Sequence, residues 1–177
     1  MMRRFDAFLA FRSILFVVLI PGTVAGYVPV EILRSAGNRL PSTLSIGDTL
    51  AACLIVLGAS ILFRCVWDFF SAGRGTLAPF DPPKRLVVTG LYRYTRNPMY
   101  NGVLSVLAGE AWLFRSLALL KYAGLIFLMF HVWVIVYEEP SLESLFGEGF
   151  RRYRRAVPRW GFTARPYAMP DEAGNGI

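Results

Sequence analysis

The chain has 177 residues, of which 55% are apolar and 18% charged, against roughly 45–50% and about 25% in a soluble domain. The excess lies in runs long enough to cross a bilayer, which excludes an ordinary cytosolic domain, and 15% aromatic residues exclude disorder. Two cysteines and one histidine exclude a disulfide scaffold and the usual four-ligand zinc site, and the +7 charge is distributed for a membrane surface, not for nucleic acid.

The pattern predicts an all-α integral membrane protein with four transmembrane helices, followed by a cytoplasmic amphipathic helix. The first span covers 7–30 and is interrupted by Arg12 and by Pro21-Gly22; no cleavage pattern ends it, so it reads as a retained helix. The second covers 46–70. It holds Cys53 and Cys65, which at ~1.5 Å per helical residue stand about 18 Å apart and cannot bridge each other. The third, 99–114, has 16 residues and is short for a hydrocarbon core of about 30 Å. The fourth covers 116–137.

Between the second and third spans lies a 27-residue connection, 71–97, too long for a simple helix–helix link and therefore expected to be functional. After Pro140 the spacing turns helical again. Ser141 is placed to cap this helix, and Leu142, Leu145, Phe146, Phe150 and Tyr153 share one face with basic residues behind it. Of the 19 lysines and arginines, all but Arg34, Arg39, Arg115 and Lys121 fall in the amino terminus, the long connection with its boundary, or the tail. The positive-inside rule then puts both termini in the cytoplasm.

Two placements are unfavourable for a plain bundle. Arg96 precedes the third helix at its positive end, and Glu138-Glu139 close the fourth at its negative end. Both ends lie on the cytoplasmic side, so the charges either pair as a salt bridge between Arg96 and an acid or surround a bound zwitterion. Asn97-Pro98 reads as an N-cap followed by a first-turn proline, with Tyr100 one turn on. Ser105 and Gly109 read as a small-residue packing pair, Glu110 as packing or solvation, and His131 as a satisfied polar group. No glycine-rich nucleotide fingerprint and no nucleophile elbow occurs in the sequence.

The run from Gly90 through Tyr92, Arg96, Asn97 and Pro98 to Tyr100 resembles the first signature of the isoprenylcysteine carboxyl methyltransferase and phospholipid methyltransferase superfamily. Glu138-Glu139, Leu142, Phe146-Gly147, Tyr153 and Val157-Pro158-Arg159 resemble its second. The resemblance implies an S-adenosylmethionine-dependent enzyme without a Rossmann domain, built as two amino-terminal helices in 1–70 and a cofactor-binding part in 71–177. It implies that Lys84, Arg85, Leu86, Val87, Tyr92, Asn97, Pro98, Met99 and Tyr100 line the cofactor pocket. Glu139 and Tyr153 would support the cofactor end, and Glu138 and Arg96 would be the catalytic pair. Asn97 stands where the carboxyl methyltransferases have histidine. Val134 stands where the prenylcysteine enzymes have an arginine, which argues against a prenylcysteine carboxylate.

The implied partners are the bilayer and a lipophilic or small acceptor bearing a carboxyl, amine or thiol; the implied location is a bacterial inner membrane. No metal is expected. The competing readings are a sterol-reductase-like membrane enzyme using NADPH and an inactive membrane scaffold.

Overall fold

The computed structural model describes residues 20–41, 43, 45–72, 86 and 88–168. Helix makes up 77% of these and strand none, which gives the expected all-α class. Helix α1 (Val28–Ser35) follows a π turn at Thr23–Tyr27, so Pro21-Gly22 does not end the first helix. Helix α2 spans Ile46–Ala72, a 3₁₀ turn Gly90–Arg93, α3 Pro98–Leu113 and α4 Leu117–Trp133. A second π turn, Val134–Glu138, joins α4 to α5 (Glu139–Ala156).

Each π turn lies just ahead of a proline, Pro29 or Pro140. Proline lacks an amide hydrogen and its ring crowds the carbonyl four residues back, so a widened turn lets the helix pass. The fourth helix therefore does not stop at Tyr137; the helical stretch continues from Leu117 to Ala156. Ser141 is inside it, not at its start. Gly147 (φ 52°, ψ −125°) then breaks the phase of α5 in a region that only glycine enters readily. Phe150, Tyr153 and Val157 are buried, with the half-buried Leu142 and Phe146 packed against them, while Leu145 is exposed.

Two helical stretches, Ile46–Asp68 and Leu117–Ala156, are long and apolar enough to cross a membrane. At ~1.5 Å per residue α3 reaches only about 24 Å, as its sequence anticipates. Helices α2 and α3 run antiparallel at close range. A Cβ at Gly58 would stand 2.6 Å from the Gly102 carbonyl oxygen, and one at Gly109 would stand 2.9 Å from that of Ala51. Backbones approach this closely only where side chains are absent. Gly102 and Gly109 thus line the packing stripe on α3, and the Ser105 hydroxyl bonds the Asn101 carbonyl of its own helix. On the other side of α3, Val103 and Leu107 pack against Ala123 and Ile126 of α4, with Val24 and Ala25 alongside.

This arrangement gives the bundle two polar ends. At one, the start of α2 meets the α3–α4 turn: Arg115 bonds Asp48 and Asn38 bonds the Phe114 carbonyl. At the other, the start of α3 meets the α4–α5 junction and the tail. Cys53 is exposed and Cys65 buried, both free.

Candidate functional site

The second end gathers the residues singled out by the sequence. Pro98 occupies the first turn of α3 as anticipated, and Asn97 holds the N-cap position. Its side chain does not cap, however; Nδ2 donates to the Arg159 carbonyl at 3.2 Å. The side-chain donor is thus turned to the tail, and the side-chain oxygen makes no cap bond.

That tail is tied along the connection before α3 by backbone hydrogen bonds. The Arg96 amide donates to the Pro158 carbonyl, Thr163 to Tyr94 and Tyr167 to Arg93, each at 2.9 Å. Arg93 Nε returns a bond to the Tyr167 carbonyl at 2.9 Å, and Tyr153 Oη reaches the Tyr92 carbonyl at 2.6 Å. Leu86 and Val88 lie against Phe150, Tyr153 and Val157 beneath. The two signatures, about forty residues apart at their polar centres, form one wall.

Within it the adjacent acids have separate roles. Glu139 is buried between two arginines: Arg96 Nη1 donates at 2.5 Å, while Arg159 donates Nε at 2.6 Å and Nη2 at 2.8 Å. Arg96 also donates Nε to the Val157 carbonyl at 3.0 Å. The anticipated salt bridge of Arg96 thus exists, with Glu139 as its acid. Glu138 makes no ion pair among the described residues. It accepts a hydrogen bond from Tyr100 Oη at 3.1 Å.

The apolar part of the α4 stretch ends at Tyr137, so both acids lie just beyond it. Burial pushes the Glu138 carboxyl above its ordinary range; the Tyr100 hydrogen bond opposes this and the charge of Glu139 adds to it. Burial acts on Glu139 in the same sense but is outweighed there. The Arg159 hydrogen bonds and the charges of Arg96 and Arg159 hold that carboxyl below its ordinary range. The ionised form is thus favoured at Glu139 and disfavoured at Glu138.

An aromatic group covers Tyr100. Its ring stacks on Phe130 with centroids 4.4 Å apart, and Trp160 of the tail stands 6.5 Å away. Trp160 Nε1 donates to His131 Nδ1 at 3.0 Å, which satisfies the histidine as expected. Met99 is half-buried and Pro98 buried. Lys84, Arg85 and Val87 lie outside the described residues.

Sequence reasoning did not single out Arg159 or Trp160 as site residues. Arg159 could have been found, since it stands in the second signature and an unpaired pair of acids needs cations; Trp160 carries no such signal. Among the described residues no group of three or more His, Cys, Asp or Glu side chains could hold a metal ion.

A family model described as phospholipid methyltransferase matches residues 47–149, from the start of α2 into α5. No curated protein and no solved structure matches the chain. The matched segment contains the first signature and both acids, and it takes in most of the two helical stretches able to cross a membrane. The chain belongs to the phospholipid methyltransferase family of integral-membrane methyltransferases.

Proposed function

We propose that the protein uses S-adenosylmethionine to methylate a lipophilic or small membrane-accessible acceptor at the end of the bundle where α3 begins. The observation that supports this most is the convergence of Arg96, Asn97, Tyr100, Glu138 and Glu139 on one wall within a methyltransferase family match. The residue set suits the cofactor's chemistry. Its zwitterionic amino-acid end needs both signs of charge and its base needs apolar or aromatic cover, and arginines, acids and the Tyr100–Phe130–Trp160 group offer these. Tyr92, Asn97–Tyr100 and Leu86 would line its pocket, with Lys84, Arg85 and Val87 nearby in the chain.

When bound, S-adenosylmethionine supplies an electrophilic methyl group on a positively charged sulfur. The protein's task is to align an acceptor in line with it and to exclude water. That charge is lost as the methyl leaves, so an acid held at the sulfur would favour the ground state. Glu138 therefore serves the acceptor. Burial strengthens its carboxylate as a base, so that it can take a proton from an amine or thiol; a carboxylate acceptor needs no base. Tyr100 holds Glu138 in place for this. Arg96 acts through Glu139, keeping the wall in register.

Four spans with both termini cytoplasmic, in a bacterial inner membrane, complete the reading. Nothing observed favours a nicotinamide-dependent reductase or an inactive scaffold. Binding of labelled S-adenosylmethionine and of NADPH to the detergent-purified protein tests the function: the first should bind and the second should not. Preferential binding of NADPH would overturn it, and lipid analysis of cells with and without the gene identifies the acceptor. For topology, Ser35→Cys and Ala168→Cys on a cysteine-free background should label from outside and inside respectively. External labelling of Ala168→Cys by an impermeant reagent would refute the arrangement.

A further inference from the structure

The triad at the start of α3 is unbalanced. One carboxylate, Glu139, serves two guanidinium groups, which leaves one positive charge in excess. Glu138, the other acid at this end, is bonded to Tyr100 and to neither arginine. Each guanidinium carries five N–H donors. Arg159 gives Nε and Nη2 to Glu139, and Arg96 gives Nη1 to Glu139 and Nε to the Val157 carbonyl, so both have donors to spare. The two differ in access. The Arg159 side chain is 27% exposed, against 11% for Arg96 and 9% for Glu139. The excess charge can be reached at Arg159, on the tail beyond the apolar helices and beyond the matched segment 47–149.

A cationic excess with open donors, beside the positive end of α3, favours an anion, and a guanidinium edge is shaped for a carboxylate. We propose that Arg159 binds the carboxylate of the S-adenosylmethionine amino-acid end, with Glu139 and Arg96 orienting it. This rests on the cofactor reading above. Arg159 suits the water-soluble ligand better than a lipophilic acceptor because it stands on the tail and not among the apolar helix faces.

The test compares two probes, S-adenosylhomocysteine and its decarboxylated analogue, by equilibrium binding to the full chain. Wild-type protein should prefer the carboxylate-bearing probe. Arg159→Ala should weaken that probe by about ten- to a hundredfold while leaving the analogue nearly unchanged, and Arg159→Lys should fall between. Because Arg159→Ala leaves Glu139 with one partner, the double variant Arg159→Ala/Glu139→Gln is compared with Glu139→Gln alone, and the added loss should again fall on the carboxylate-bearing probe. Equal weakening of both probes in these variants would reduce Arg159 to a structural role and overturn the proposal. Wild-type protein that binds neither probe would overturn the cofactor reading as well.

Discussion

Both ends of this bundle are closed by an acid and an arginine, yet the two closures are built differently. At the end formed by the α3–α4 turn, Asp48 is buried and satisfied almost locally. It accepts from the Ser45 amide and hydroxyl at 2.9 and 2.7 Å, and Arg115 adds its Nη2, shared between the two oxygens at 3.2 and 3.3 Å. The turn itself puts Arg115 at a φ of 49°, and its guanidinium is largely exposed. At the other end, Glu139 has no such neighbours. Its partners come from 43 residues before it and 20 residues after it, and one of them belongs to the tail. The first closure fixes a helix start. The second assembles three remote segments and leaves a cationic excess and an uncommitted acid beside it, which is what a ligand site needs and a structural cap does not.

The largest expected effect follows from the second closure. Glu139→Gln leaves two partly buried arginines facing each other, and loss of one partner from a buried pair costs about 3–5 kcal/mol. Denaturant or thermal melts should show this loss clearly. The same acid sets an acid limit. Because its folded pKa is depressed, its stabilisation is complete above the ordinary carboxylate range and disappears as pH falls through the lowered value. Melting temperature should therefore drop on acidification in the wild type and drop less in Glu139→Gln.

Glu138→Gln should separate the neighbours. Glu138 is half-buried and makes no ion pair among the described residues, so neutralising it relieves a desolvated charge and should leave melting temperature unchanged or slightly raised. Transfer of labelled methyl to a lipid extract in a single turnover should fall about a hundredfold, the scale of a lost acid–base group. A protein that melts earlier yet turns over normally per folded molecule would make Glu138 structural.

Asn97→Ala removes one hydrogen bond to the tail and should cost about 1 kcal/mol, seen as a small shift in the melt. Asp48→Asn should give the smallest effect on function. It should lower stability at the far end and leave ligand binding as in the wild type.

Much of the bundle is legible in the sequence because apolar runs of bilayer length leave few alternatives. The second helix, expected over 46–70, ends at Ala72, and the third, expected over 99–114, spans Pro98–Leu113. Where the sequence misleads, charge and proline are the cause. Glu138-Glu139-Pro140 reads as a helix end, but a π turn absorbs the proline and two arginines neutralise the second acid, so helix continues. Gly147 likewise shifts the apolar stripe by a phase that no periodicity count contains. The gathering of Arg96, Tyr100 and the two acids was legible through the paired motifs. Which acid meets Arg96 was not, because it depends on the tail, and the tail is held by backbone amides and carbonyls that carry no side-chain signature.

The contrast between the two ends is tested most directly by equilibrium binding of labelled S-adenosylmethionine to wild-type, Tyr100→Ala and Asp48→Asn proteins, each verified as folded by its melting curve. Tyr100 both holds Glu138 and carries the aromatic cover. Tyr100→Ala should bind roughly ten- to a hundredfold more weakly than wild type, and Asp48→Asn should bind equally well. Unchanged binding in Tyr100→Ala, or a comparable loss in Asp48→Asn, would contradict the placement of the ligand at the start of α3.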